Sequence, residues 1–503
     1  MKFVDANLHD RIRYDSDFMA AVPGHRAATP RKRVLTVAPM PPEKMAYALA
    51  RYSRSPDSIV DSVEWVRTHD SAKFLESFYF QYGHASIADL GHLAVCFEGI
   101  SELAAIEIED EQLWDGQARS SRYQDFSHSN VVIPPELPET QFEIYRDAAN
   151  ELKSAYRAIH EKTFQKLCAK LPRPSDMKPE TYQRNLTARA FDVARYLLPL
   201  AIPTGVGQVT SIRSLERQIR RLKASDFEEV RDIATELAAA LAHPADCVWD
   251  PALPNEPVAP TLARHAGPDE YARKLRDTLQ LWAEQNLPPR RDVSAKPVVL
   301  LQPTDHICDI CATLLYPVTD RSYRELYHLA TSWSKAQRIE LMDLAVQGRE
   351  RRDELPRHFR GAPYVFDIIM DVGAYRDLHR HRRCQQFRQE YTNQFGYEVP
   401  ALVDEAGLLP EYQKALTVVD TALSQVSPPA AQYLLPFAAR SRFLFKMDFA
   451  ELEYISRLRS GVKGHFSYRK IAWEMKQALD EQDPSLGALV DATPPWVEDP
   501  LTR

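Results

Sequence analysis

The sequence predicts an α+β fold built from two tandem copies of one helix-rich domain, with a β-sheet in each copy. Two observations carry this. A strand-like run leading into an apolar helix occurs twice: RVLTVAPMPPE, from Arg33, before MAYALARYS, and PVVLLQPTDH, from Pro297, before ICATLLY. The octapeptides ARYLLPLA around Pro199 and AQYLLPFA around Pro436 also match, and each is followed by an apolar-basic helix and then a second helix. Landmarks that repeat in the same order indicate a duplicated domain.

The elements follow from spacing. After the first octapeptide come SLERQIRRLK and FEEVRDIATEL; after the second, AELEYISRLRS and FSYRKIAWEMKQAL. Phe227, Val230, Ala234, Leu237 and Leu241 fall at helical spacing, as do Tyr468, Ile471, Ala472, Met475 and Leu479. HLAVCFEGIS, from His92, reads as an apolar helix. So does FDIIMDVGAYRDLH, where Phe366, Ile369 and Val372 stand three apart. HPADCVWDPALPNEPVAPTL is proline-rich and reads as a linker, followed by a short helix, DEYARKLRDTLQLWAEQ. The expected layout is an N-terminal extension over 1–30, a first domain over 31–242, the linker and its helix over 243–294, a second domain over 295–490 and a tail over 491–503.

Composition narrows the function. With 44% hydrophobic and 26% charged residues, the chain can bury real cores. A net charge of −7 gives no global attraction for nucleic acid or an anionic membrane, so any phosphate site must be local. No run approaches the ~18 apolar residues of a membrane span, and the polar start MKFVDANLHDRIRYD lacks a signal-peptide core. Six cysteines are too sparse for a disulfide framework in a chain this long, which points to a cytoplasmic location. Cys308 and Cys311 form a CxxC with no second ligand pair at suitable spacing. Buried small side chains are preferred there to a metal or redox site, and no metal is expected. The chain has 16 glycines and neither GxGxxG nor GxxxxGK[ST], so side chains must do most of any phosphate binding.

Five local signals could carry chemistry. Arg380-His381-Arg382-Arg383 is a dense basic cluster: either a solvated end complementing a helix dipole or a clamp whose Arg forks hold phosphate oxygens. His84, in Gly83-His84-Ala85-Ser86, is either a core histidine or a ligand contact. Ser120-Ser121-Arg122-Tyr123, Arg195 before LLP, and Arg231 in Glu229-Val230-Arg231 each contribute one cation, which alone is more often a surface residue.

In this order, GHxS, xEGxS, SxRY, ARxxLP and the arginine of the last helix resemble the flavin-dependent thymidylate synthase family. The resemblance covers about residues 33–240 and, more loosely, 296–480. The family signature joins an RHR to a serine of SxRY ten residues on; here it is divided. The first copy keeps Ser120, Arg122 and Tyr123 but reads Asp110-Glu111-Gln112 where the family has RHR, and Ala118 where it has Glu. The second copy keeps Arg380-His381-Arg382 but lacks SxRY, and Gln432 replaces the arginine before LLP, while Arg469 matches the last-helix arginine.

The resemblance implies a flavoprotein that uses FAD, with NADPH and methylenetetrahydrofolate as co-substrates, to convert dUMP to dTMP. It implies that Ser120, Arg122, Arg195 and Arg231 bind the nucleotide. His84, Ser211, Arg213, Arg380, His381 and Arg382 would hold the flavin, and Arg382 and Arg231 would assist catalysis. Ser211 and Arg213 stand where the family has NxR. Family sites form between subunits, so a homodimer arranged as a four-domain pseudo-tetramer is expected. The alternatives are altered chemistry on a pyrimidine nucleotide, such as hydroxymethyl transfer, and a non-catalytic nucleotide- or flavin-binding paralogue.

Overall fold

The structure is a computed structural model that describes residues 40–53, 58–76, 85–122, 124–247, 257–288, 296–348, 356–361, 363–488, 490–499 and 501. The expected N-terminal extension, most of the strand expected from Arg33, His84 and Tyr123 lie outside these residues.

Helices α1 (Pro42–Tyr52), α2 (Ile59–Thr68) and α3 (Ser71–Leu75) precede β1 (His92–Ser101), α4 (Glu102–Glu109) and β2 (Trp114–Ala118). Next come α5 (Phe142–Lys170), α6 (Pro179–Ala194), β3 (Pro203–Ser211), α7 (Ile212–Lys223) and α8 (Glu228–Ala242). Then α9 (Pro260–His265) and α10 (Glu270–Asn286) lead to the second copy. That copy runs through β4 (Val298–Leu301), α11 (His306–Leu315), α12 (Tyr323–Ser332), α13 (Lys335–Val346), β5 (Tyr364–Asp371), α14 (Val372–Leu378) and β6 (Gln385–Arg388). It closes with α15 (Ala401–Glu405), α16 (Leu409–Leu423), α17 (Pro428–Gln432), β7 (Arg440–Met447), α18 (Phe449–Ser460), α19 (Phe466–Gln482) and α20 (Pro484–Gly487). Each copy contributes one sheet, in the orders β1-β3-β2 and β4-β5-β7-β6.

Two expectations are corrected. HLAVCFEGIS and the first part of FDIIMDVGAYRDLH are strands, β1 and β5, and in both places a helix begins only afterwards. The three-residue spacing misleads because all eight positions of β5 are buried. A strand buried on both faces, with few polar residues, satisfies a helical period as well as a strand period. The helix start is written in the caps instead: the Ser101 hydroxyl accepts from Ala104 N at 2.9 Å, and the Asp371 carboxylate accepts from Ala374 N at 2.7 Å.

The chain forms two compact units. The smaller holds the described residues of Met1–Ala94, Val209–Ile219 and Thr235–Gly267; the larger holds Val95–Gln208, Arg220–Ala234 and Pro268–Arg503. In the smaller, the buried Glu43 carboxylate accepts from Thr261 N at 2.8 Å, Thr261 Oγ1 at 3.0 Å and Leu262 N at 3.3 Å. The described end of the proline-rich linker is thus tied to α1. In the larger, Tyr271, Leu275, Leu279 and Trp282 of α10 pack with α11–α13 and with Val365, Phe387 and Leu444 of the second sheet. Burying that helix face is the main reason the short helix forms. Cys308 and Cys311 are free, fully buried members of this core, and burial raises both thiols.

Within the larger unit the two matching octapeptides pair with each other. Pro199 and Pro436 form an antiparallel bridge. Leu200 N donates to Leu435 O at 2.9 Å, and its counterpart Phe437 N donates to Leu198 O at 2.9 Å. Ala201 N donates to Tyr433 O at 2.8 Å, and Ala438 N to Tyr196 O at 3.0 Å. Every bond has an image with the copies exchanged, which is what a self-complementary two-fold interface requires. The image extends outward. Tyr145 OH donates to Val132 O at 2.8 Å and Tyr412 OH to Glu398 O at 2.7 Å. Ser101 Oγ donates to Glu229 of α8 at 2.6 Å, whereas Asp371 accepts from Ser467 of α19. Hydroxyl and carboxylate have traded places between the copies.

Candidate functional site

The larger unit brings together the parts of the divided signature. The turn after α14 carries Arg380, His381 and Arg382. Buried Gln386 of β6 shapes it by donating to Leu378 O at 3.3 Å and His381 O at 3.1 Å, while its amide oxygen meets His379 Nδ1 at 3.1 Å. The loop after β2 carries Ser120, Ser121 and Arg122. Ser120 Oγ accepts from Arg122 N at 3.2 Å, which tightens that loop.

Ser121 joins the copies. Its Oγ accepts from Arg195 Nη1 at 3.4 Å and from Arg376 Nη1 at 2.9 Å. Arg195, 1% exposed, also reaches Asp377 at 3.1 Å and Gly373 O at 3.3 Å. Arg376 pairs with Glu102 and donates to Arg119 O at 2.5 Å. Arg122 forks onto Asp192 at 2.6 and 3.2 Å, and reaches Tyr468 OH at 3.4 Å and Lys463 O at 3.3 Å. Burial alone would raise the Asp377 carboxyl, but Arg195, Arg376 and Arg380 outweigh it and hold it at about 2. His465, fully buried, meets the Asp192 carbonyl at 2.9 Å; burial, with Arg195 and Arg122 nearby, keeps it neutral.

The basic cluster is not a uniform solvated end. His381 is 5% exposed; its Nε2 accepts from Arg459 at 2.7 Å, its Nδ1 lies 3.4 Å from Glu451, and burial lowers its pKa. That bond sets the tautomer with the proton on Nδ1. Arg382 pairs with exposed Asp115 and lies 5.2 Å over the Trp114 ring. Arg383 is exposed. Arg380 is half-buried and its side chain has no ion pair or hydrogen bond among the described residues, although its charge acts on Glu102, Glu109 and Asp377.

The other expected residues stand apart. Arg231 donates to Ser225 O at 2.8 Å, closing the turn before its own helix, and its counterpart Arg469 does the same with Ser460 O at 2.9 Å. Ser211 and Arg213 belong to the smaller unit. There Arg213 pairs with Asp89 at 2.9 Å, and Ser211 Oγ donates to Asp89 at 3.4 Å. Where the family has RHR in the first copy, Asp110 pairs with Arg357 at 2.8 Å, Glu111 with Arg221 at 2.9 Å, and Gln112 accepts from Arg360. A cavity of about 360 Å³ over the Asp367–Arg442 pair contains none of the motif residues. Among the described residues, no group of three or more His, Cys, Asp or Glu could hold a metal, and no helix is long and apolar enough to cross a membrane.

Sequence reasoning missed Glu102, Glu109, Asp192, Arg376, Asp377 and His465. One signal was available: Asp377 and Arg376 lie three and four residues before Arg380, close to one face of a helical turn.

The chain is 27% identical over 434 residues to a UPF0159 protein of Chlamydia muridarum (strain MoPn / Nigg), covering 82% of this chain and 80% of that protein. It is 28% identical to one of Chlamydia pneumoniae, covering 82% and 79%, and 25% identical to UPF0159 protein Ta1429 of Thermoplasma acidophilum, covering 88% and 93%. A crystal structure of thymidylate synthase X (ThyX) from Helicobacter pylori with FAD and dUMP matches 40% of this chain and 89% of its own, at 16% identity and a TM-score of 0.24. So loose a superposition supports no residue-level correspondence. The model of the family "Thymidylate synthase complementing protein" matches residues 35–245 and again 318–485. Matched twice over most of its length, the chain belongs to the thymidylate synthase complementing protein family.

Proposed function

We propose that the chain is a flavin-dependent thymidylate synthase-like enzyme acting on a pyrimidine nucleotide, with dUMP as substrate. The observation that supports it most is the reunion of the divided signature in one chain: Ser121 bridges Arg195 of the first copy and Arg376 of the second, four residues before Arg380. The fit to anionic ligands differs from residue to residue. Arg380, half-buried and without an ion pair among the described residues, fits a phosphate or diphosphate oxygen, and Arg382 over Trp114 fits the edge of a bound flavin. Arg195 does not fit: with Asp377, Gly373 and Ser121 as partners and 1% exposure, its guanidinium holds the copies together.

In this reading Arg380, His381 and Arg382 hold FAD, and Ser120 and Arg122 line the nucleotide side. FAD, reduced by NADPH, supplies the electrons for passing a one-carbon unit from methylenetetrahydrofolate to C5 of dUMP. The chain's own work is to hold two anions close and to keep His381 neutral. His84, Ser211, Arg213 and Arg231 remain assigned to the nucleotide and flavin by their motif positions. Two chains pair to bring four copies together.

Purified protein should be yellow and should release the C5 hydrogen of dUMP as dTMP forms. Arg380→Ala should weaken FAD binding about ten- to a hundredfold, the value of one charge-assisted contact, while the protein still folds. Normal flavin affinity in a folded Arg380→Ala protein sinks the assignment. One observation favours a second reading, altered chemistry on a related nucleotide: Asp192 already occupies Arg122. A flavin-loaded protein that binds dUMP but forms no dTMP selects it.

A further inference from the structure

Glu109, the last residue of α4, is a buried carboxyl that the reading above does not use. It is 3% exposed, and its Oε1 is buried without a hydrogen-bond partner among the described residues. Leaving an ionised carboxylate in that state is expensive, so the neutral form is favoured. The groups that act on it come from both copies: Glu102 on its own helix, Arg376 and Asp377 on α14, and Arg380 in the following turn. Glu102 is compensated by Arg376, and Asp377 by Arg195. Arg380 has no such partner among the described residues, and Glu109 has none either. Within the cluster, Arg380 is the charge that most favours ionisation of Glu109.

We propose that Glu109 is the proton store of this site: its carboxyl gains a proton when a phosphate-bearing ligand occupies Arg380 and loses it when the ligand leaves. Burial, above all, pushes the Glu109 carboxyl up to about 7; Arg380 pulls it down and Glu102 pushes it further up. The linkage has one sign. An anion on Arg380 cancels the charge that most favours the ionised form and adds repulsion, so the proton affinity of Glu109 rises on binding. Below neutrality Glu109 already carries its proton, and binding moves none. Above neutrality each binding event takes up to one proton from solvent, and affinity falls by up to about tenfold per pH unit. The balance is simple: one proton moves from buffer to the Glu109 oxygen, and no bond in the ligand changes.

The proposal rests on the reading of Arg380 given above, and one experiment separates the two. Full-length protein is titrated calorimetrically with FAD, and separately with inorganic diphosphate, about one pH unit below and above neutrality, in two buffers of different ionisation heat. The expected result is no proton uptake on the acid side and close to one proton on the alkaline side. Glu109→Gln, which fixes the neutral state, should bind without proton uptake and keep its acid-side affinity at alkaline pH. Infrared difference spectra of the wild-type protein give a readout that needs no variant: a protonated-carboxyl band should appear on binding above neutrality. Binding with no proton uptake, or uptake that persists in Glu109→Gln, overturns this proposal alone. Absence of binding by both probes at every pH overturns it together with the reading of Arg380.

Discussion

Arg195 shows how a residue's place decides its role. Its motif position assigns it to a nucleotide phosphate, yet it is sealed against Asp377. Sequence identifies the cation; it says nothing of a carboxylate arriving from 182 positions away. Arg195→Ala should therefore act first on stability. It leaves Arg376 and Arg380 to compensate Asp377, and breaking a buried pair costs about 3 kcal/mol, read as a shift of the urea midpoint. The pH dependence follows with its sign. The Asp377 carboxyl is held at about 2, below its ordinary 3.8. Its stabilisation is therefore fully present above 3.8 and is lost as pH falls through about 2. In Arg195→Ala the loss begins at higher pH, so acid unfolding should shift upward. An unchanged acid midpoint argues against the pair.

Secondary elements were legible where one face is wet. Helices α7, α8, α18 and α19 and strand β4 stand where the spacing places them. Strand β5 was misread because both of its faces are buried, whereas in β1 the burial alternates over His92–Cys96 and the apolar run concealed that two-residue period. The caps Ser101 and Asp371 were the better markers, and only their backbone partners reveal them as such. These caps also support the duplication energetically. Ser101 faces Glu229 and Asp371 faces Ser467, so one hydroxyl and one carboxylate serve each copy. Ser101→Asp alone puts two carboxylates together and should cost about 2 kcal/mol. Adding Glu229→Ser recreates the second copy's pair in the first and should recover most of that loss. Denaturant melts of the two single variants and the double variant give the coupling, and additive losses would count against the equivalence.

At the scale of the molecule, the divided signature made the duplication readable and left open which halves meet. The backbone bonds between Tyr196–Ala201 and Tyr433–Ala438 answer within one chain. Arg195 thus packs against Gly373 and Asp377, just before the Arg380 turn, within one molecule. If the two serve one site, mixing an Arg195→Ala protein with an Arg380→Ala protein should not restore activity. Restoration on mixing indicates that partner chains exchange these parts, and the measured oligomeric mass then shows how many take part.

The crossed octapeptides also set a clock on synthesis. Ala201 N bonds Tyr433 O, and Leu200 N bonds Leu435 O. Until the ribosome reaches those residues, the N–H groups of Leu200 and Ala201 and the carbonyls of Tyr196 and Leu198 lack these partners, although Leu200 O, Ala201 O and Ile202 O already have partners in the first copy. Chain elongation at roughly 5–20 residues per second puts that delay at about 10–50 s. For that interval a largely apolar segment, Leu197–Ile202, stands ready to pair with anything similar, including the same segment of a neighbouring nascent chain. A chain that carries its own pairing partner downstream ends that exposure by finishing its translation, with no second molecule required.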